Sequence, residues 1–403
     1  MTLKIKLFSV VTVSLFLVGM LAACAGSPAT TQPPPVITAA PTQPLAATQP
    51  LAATQPPTAV PFEPESNTPT PQPTSSEAYK GPLTVLDWSG DEAPEFWKPF
   101  ADKFPNVKVD FSFFAEDAEA LAKIQSGFQV DLVHPCNSWL QLYVDGDLLQ
   151  PIDTTRLKNW PGVDPRLAKF GQFNGKQYFV PWDWGYESIL VRTDKVSKVP
   201  QSWADLWDPQ YKGKVSIFDS AETAWMVAAT ALGIDPYHVT PEQRDQIKQK
   251  LIALKPNLLN YWSDYTEIVQ LIANGDVSVA GNAWNDAYVL LKDQGVPVEY
   301  TTPKEGRLGY VCGYVIPKNA KNVDLAYEYL DALLDPQSEA NYANEYYYGV
   351  SNRDAIPLID PAVLEAMHVE DAGMLDRTKF YQSISNDLRQ MMADVWSEVK
   401  ASQ

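Results

Sequence analysis

The sequence predicts an α/β fold made of two successive sets of strands and helices, and three observations carry that prediction. From residue 83 onward, short apolar runs of strand length alternate with longer helical runs, the pattern of a parallel sheet with crossover helices. The alternation breaks at a Trp-rich stretch near residues 178–193 and starts again near residue 214. The 403 residues, 45% hydrophobic and 11% aromatic with 12 Trp, supply enough apolar mass for about two domains of ordinary size.

Residues 1–80 stand outside this alternation. Lys4 and Lys6 precede an apolar run from Leu7 to Leu21, and Leu21-Ala22-Ala23-Cys24 places small residues before a cysteine. This resembles a bacterial lipoprotein signal, which implies cleavage after residue 23 and lipidation of Cys24. The alternative is a plain transmembrane helix, for which the run is short of ~20 apolar residues. Residues 24–80 hold all 14 of the prolines found before residue 81, out of 34 in all, and TQPLAA occurs twice in succession. So apolar-poor a stretch cannot offset its ordering entropy, and a Pro/Thr/Ala/Gln-rich spacer reaching up to ~170 Å is expected. An extracytoplasmic, membrane-tethered location follows. There Cys136 and Cys312, the two cysteines left, are expected to pair, with two free buried thiols as the alternative. A formal charge of -18 argues against nucleic-acid partners.

The first set opens with a strand at Leu83–Trp88 running into Ser89, Gly90 and Asp91. A helix over 94–104 puts Phe96, Trp97, Phe100 and Phe104 on one face, followed by a strand over 107–113 and a helix over 117–126. A strand over 131–135 leads into Cys136, Asn137 and Ser138. Ligands bind beyond the carboxyl ends of such strands. That rule nominates Trp88-Ser89-Gly90-Asp91, Cys136-Asn137-Ser138 and Gly185-Tyr186-Glu187. Two strand stretches, 178–184 and 188–193, mark where the chain leaves the first set.

The second set begins with a short helix over 202–207 and a strand over 214–218 opening onto Asp219, Ser220 and Glu222. An apolar helix over 222–232 and a charged-faced helix at Pro241–Leu254 follow. Next come a strand over 260–263, a helix over 266–274 and a strand over 277–280 leading to Trp284, Asn285 and Asp286. The stretch 308–316 reads as a buried strand returning to the first set, with Tyr310, Cys312 and Tyr314 at strand spacing. Gly313 within it marks close approach of a ligand or of another backbone; an ordinary core strand is the alternative. Helices over 324–334 and 386–399 complete the chain, the latter with Leu388, Met391, Met392 and Val395 on a packed face.

Four blocks in one order, SWADLWDPQYKGKV from Ser202, KPNLLNYWSD from Lys255, GNAWNDAY from Gly281 and PKEG…VIPKNAKN from Pro303, resemble the spermidine/putrescine-binding proteins of bacterial ABC importers. The resemblance implies a two-lobed periplasmic-binding-protein fold, each lobe a sheet flanked by helices, closing by a hinge on a small-molecule ligand. It also implies a permease and an ATPase as partners and a monomeric binding protein. The expected division is 81–192 plus 310–365 for one lobe and 193–309 plus 366–403 for the other. Carried over by position, Trp88, Ser89, Ser263, Trp284 and Tyr310 match the family's ligand contacts. Aromatic walls suit methylene chains and attract ammonium groups. Cys312 stands where the family has an aspartate on the return strand, and Ser220 and Thr223 stand where it has an Asp and a Glu; Asp219 and Glu222 keep that spacing one residue earlier. Cys136 replaces a serine and Ser138 a tyrosine. The family places the positions of Cys136 and Cys312 at neighbouring strand ends, which suits a disulfide. Buried ammonium groups need acceptors, and Asp91, Asp183, Glu187 and Asp286 are the carboxylates available to replace those lost. A cationic or zwitterionic solute is the expected ligand.

No enzyme chemistry is expected. His134, His238 and His368 lack metal-ligand spacing, no Ser-His-Asp arrangement or phosphate-cradling loop occurs, and no metal or cofactor is anticipated. Two other readings stay open: a ligand-sensing lipoprotein signalling to a membrane receptor, and a secreted hydrolase.

Overall fold

A computed structural model describes residues 81–263, 265–367 and 373–402. The signal segment, Cys24 and the tether, as well as His368, lie outside the described residues. The strands are, in chain order, β1 (Leu83–Trp88), β2 (Val109–Phe114), β3 (Leu132–Val133), the hairpin β4 (Gln172–Phe173) and β5 (Lys176–Gln177), β6 (Val180–Arg192), β7 (Val215–Phe218), β8 (Leu258–Trp262), β9 (Val279–Trp284), β10 (Val298–Tyr300), β11 (Arg307–Tyr314), β12 (Gly349–Val350) and β13 (Thr378–Phe380).

The first set builds a parallel sheet in the order β2-β1-β3, extended by bridges from Val133 to Val315 and from Cys136 to Cys312. The second builds a sheet in which β8, β7 and β9 run parallel. Two long strands join them. Residues 180–187 of β6 pair with β11 on one edge, giving way to β10 from Leu190; on the other edge β12, at Asp183 and Trp184, gives way to β9 from Glu187. Thus β6 belongs to both halves and changes neighbours between Trp184 and Leu190. Two strand stretches were expected here; one continuous 13-residue strand is found, buried throughout. Gly185 permits this: a Cβ there would lie 2.2 Å from the Tyr310 hydroxyl, so the Tyr310 ring crosses directly over the strand. Gly313 answers to backbone, not to ligand, since its Cβ would meet the Val180 carbonyl oxygen at 2.1 Å.

Local chemistry accounts for most of the helices. Thr240 and Gln243 form a capping box with Pro241 in the first turn of Pro241–Leu254. Ser220 caps Ala221–Leu232, and Gly233, at φ 69°, ends it in the left-handed conformation. The helix expected over 94–104 is broken at Trp97 (φ -134°) into a 3-10 turn, Pro94–Phe96, and an α-helix, Lys98–Lys103. Pro99 lacks the N–H that a continuous helix would donate to Glu95, so the ladder stops and a new helix starts with Pro99 in its first turn. The strand expected over 131–135 shortens to Leu132–Val133, because the Asp131 carboxylate accepts from the backbone N–H groups of Thr84, Lys321 and Asn322 and anchors a loop. Separate aromatic-rich cores fill the two halves, one holding Phe96, Phe100, Trp182 and Tyr329, the other Trp203, Trp225 and Trp396. Among the described residues no helix is long and apolar enough to cross a membrane.

Candidate ligand-binding site

A cavity of about 420 Å³ opens beyond the carboxyl end of β1, against the crossing strands β6 and β11. It gathers Trp88, Ser89, Asp91, Asp183, Trp284 and Tyr310, all candidates from the sequence, together with Glu187 and the two cysteines. Cys136 and Cys312 are joined by a disulfide that forms part of the wall. The Asp117 carboxylate accepts the Cys136 N–H at 2.9 Å and holds that loop.

One pole of the cavity is built on β1 and β3. Trp88 is fixed by its indole N–H, which donates to the His134 carbonyl at 2.9 Å. Beneath it the fully buried His134 ring faces three carboxylates: Nδ1 lies 2.7 Å from Asp87 and 3.4 Å from Asp91, and Nε2 lies 3.3 Å from Asp183. The ring stacks on Tyr314 with centroids 4.2 Å apart. Burial alone would depress the imidazole, but Asp87, Asp183 and Asp91 outweigh it and hold the group up at about 10. Burial, reinforced by the charge of Asp87, pushes the Asp91 carboxyl well above the usual range. Asp87 is closed off, since its other oxygen takes the Tyr314 hydroxyl at 2.9 Å.

The other pole is Glu187, opposite Trp284 across the β6–β9 ladder. The ladder's register shifts between Ser188 and Leu190. In the same stretch of β9, Asn282 takes a positive φ of 53°, a conformation Asn tolerates. Trp284 rests against Phe218 and Trp262 with centroids 5.3 and 5.2 Å away. Glu187 accepts from the Tyr381 hydroxyl at 3.0 Å. Burial pushes its carboxyl up to about 8, against the hydrogen bonds of Tyr381 and Trp284. Among the described residues no Lys or Arg lines the cavity.

Five candidates lie outside the lining. Asp219 accepts from the Trp396 indole at 2.8 Å and the Lys400 ammonium at 2.9 Å. Glu222 pairs with Arg389 at 3.1 Å, and the same guanidinium donates to the Ser138 carbonyl at 3.0 Å while sitting 3.6 Å over the Trp139 ring. These three residues therefore fasten the C-terminal helix Asn386–Ala401. Ser263 is exposed, its backbone N–H donating to Glu267 at 3.0 Å. Asp286 sits one layer behind, 3.4 Å from the Tyr348 hydroxyl, with burial raising its carboxyl to about 6.

Four lining residues went unnominated: His134, Tyr342, Tyr346 and Tyr348. The tyrosines come from the helix Pro336–Tyr346 and the residues after it. An Asp335 cap and Pro336 in the first turn signal that helix, and Tyr342 and Tyr346 fall one turn apart on its face. The Tyr346 hydroxyl donates to the Gly90 carbonyl at 2.9 Å and closes the loop carrying Ser89 and Asp91.

Asp87, Asp91 and His134 are the described residues whose ligand atoms come within 4.8 Å of one another as a metal group would. A metal there would have to replace the proton on Nδ1, while Nε2 faces a further carboxylate. The donor set reads as an ion-pair cluster. A larger cavity, about 1000 Å³, is lined by Phe170, Phe173, Met226, Tyr237 and Phe380 with Lys169, Lys379 and Asp235. It has neither the converging carboxylates nor the strand-end position of the smaller one.

A model of the bacterial extracellular solute-binding protein family matches residues 95–369. The spermidine/putrescine-binding periplasmic protein of Salmonella typhimurium is 28% identical over 284 residues, 70% of this chain and 80% of that protein. The putrescine/agmatine-binding protein of Pseudomonas aeruginosa is 26% identical over 346 residues, 81% of this chain and 94% of that protein. Among solved structures, a spermidine/putrescine ABC transporter substrate-binding protein from Streptococcus pneumoniae superposes with a TM-score of 0.70 at 22% identity, covering 80% of this chain and 99% of the other. A Treponema pallidum lipoprotein superposes at 0.66 and 21% identity, covering 79% and 98%. The two-lobed solute-binding fold is common to both.

Proposed function

Because the chain belongs to the family of bacterial extracellular solute-binding proteins, we propose that it is the capture subunit of an ABC importer for a small cationic solute of polyamine type. The observation that carries this reading is the lining itself: Asp91, Asp183 and Glu187 among aromatic rings, with no Lys or Arg among the described residues. An ammonium group loses its hydration in such a cavity, and carboxylate oxygens with indole and phenol faces replace it. The ligand lies along the rings of Trp88, Tyr310 and Trp284, and the lobes close by bending β6 and β11. We draw the lobe division as 81–192 plus 310–365 and 193–309 plus 366–403. The protein works outside the cytoplasm as a monomer, tethered by a lipid on Cys24, and hands its ligand to a permease and an ATPase. We assign it no catalytic step.

Isothermal titration with putrescine, spermidine, agmatine, glutamate and glucose tests the reading. A Kd of about 10 µM or tighter (roughly -7 kcal/mol) is expected for at least one amine. Binding of glutamate or glucose with no response to any amine overturns it.

A further inference from the structure

His134 makes contacts that no neutral imidazole can satisfy. Both ring nitrogens point at carboxylate oxygens, Nδ1 at Asp87 and Asp91, Nε2 at Asp183. A neutral ring has one N–H and one lone pair, so one nitrogen would set its lone pair against an anion in a buried place. Geometry therefore selects the imidazolium. The ring stacks on Tyr314 and meets Trp182 at its edge, with centroids 4.2 and 5.5 Å away.

The ring then divides the three carboxylates into two kinds. Asp87 is 0% exposed and spent on His134, the Trp88 N–H and the Tyr314 hydroxyl. Asp91 and Asp183 each give one oxygen to the ring and border the cavity. We propose that His134 is a built-in counter-cation that positions Asp91 and Asp183 as one two-carboxylate acceptor for a single ammonium group of the ligand. The proposal rests on the cavity being the solute site. It deepens that reading by naming what the ligand's cationic group meets: the imidazolium offsets one of the three converging carboxylates, and Asp91 and Asp183 each border the cavity where the ligand enters. Without the imidazolium three would remain, and buried carboxylates so close would take up protons instead of a ligand.

The titratable groups that face the ring or its three carboxylates come from several elements. Asp87 comes from β1, Asp91 from the loop after it with Glu92 beside it, Asp183 from β6 and Tyr314 from β11. Asp117 comes from the helix Asp117–Gln125, and Tyr329, Glu339 and Tyr342 come from the two helices after residue 322. None of these is a cation, so nothing else in this set can take the imidazole's place.

Two measurements test the proposal. Nitrogen-15 NMR of the histidine-labelled full chain without ligand should show one imidazole doubly protonated at pH 8.5; a neutral tautomer for His134 overturns the proposal, and no variant is needed to see it. In titrations of putrescine from pH 6 to 9, His134→Gln should move the midpoint of the affinity–pH curve upward by about one unit or more, a tenfold change at fixed pH. Equal weakening at every pH means that the ring merely supports the fold, and overturns the proposal. If putrescine fails to bind the unmodified protein, the polyamine reading falls, while the NMR result still decides the state of His134.

Discussion

The two poles of the cavity use the same functional group in opposite ways. At the β1 pole three carboxylates converge, and a buried imidazolium lets them remain together. At the β9 pole Glu187 stands with hydrogen-bond donors but no cation, and burial pushes it up to about 8. A carboxylate beside a fixed counter-ion has a permanent partner; one without takes up a proton near neutral pH and ionises as pH rises or a cation arrives. The difference teaches that the β1 pole carries its own counter-charge, while the β9 pole gains one conditionally.

The largest expected effect strikes the permanent pole. Replacing Asp91 and Asp183 together by Asn should weaken amine binding by at least about 1,000-fold, roughly 4 kcal/mol, because the ammonium loses both acidic acceptors while the imidazolium, still paired with Asp87, stays nearby. Titration of the double variant checks this, and a loss below tenfold would place the cationic group elsewhere. Trp284→Ala comes next, at about 100-fold or roughly 2.7 kcal/mol. This ring also packs on Phe218 and Trp262, so a fall of a few degrees in Tm should accompany the lost affinity. Unchanged affinity would remove the second pole from the site.

Both poles push stability with pH in the same direction. His134, held at about 10, contributes stabilisation that is complete below the ordinary imidazole value and fades as pH rises through 10. Glu187, raised to about 8, is protonated in the fold while the unfolded carboxyl has already ionised. Its contribution is complete below the ordinary carboxyl value and fades as pH rises through 8. The Tm of the unliganded protein should therefore fall by roughly 10 °C from pH 5 to pH 9, and Glu187→Gln should remove the part of that fall below pH 8. A Tm that rises over the interval contradicts both assignments.

What the sequence made legible follows from local periodicity. Strand runs locate carboxyl ends, and the end of β1 carries Trp88 and Asp91 into the cavity, whereas Asp183 enters from near the start of β6. The cysteine pair was readable because two cysteines remained once Cys24 was set aside for the anchor. What stayed hidden depends on distant partners. His134 meets Asp87 and Asp183 across 47 and 49 residues, and no spacing rule joins an imidazole on a two-residue strand to carboxylates on two other strands. Asp219 and Glu222 read as ligand contacts because they follow a strand end, yet Lys400 and Arg389 claim them across 181 and 167 residues. Position relative to a strand is written locally; the partner that neutralises a charge is not.

The smallest expected effect isolates the conditional pole. Below pH 7 Glu187 is largely protonated, so Glu187→Gln exchanges one uncharged hydrogen-bonding group for another. Putrescine affinity should then match the unmodified protein within about twofold at pH 6. As pH rises through 8 the carboxyl ionises, and the unmodified protein alone gains a second charged acceptor, reaching an advantage of about tenfold at pH 9, near 1.4 kcal/mol. A monoamine of similar length leaves no ammonium at this pole, so its affinity should show no such divergence. Divergence for the monoamine as well would mean that the ligand's cationic end lies beside Glu187, reversing the orientation drawn from the imidazolium.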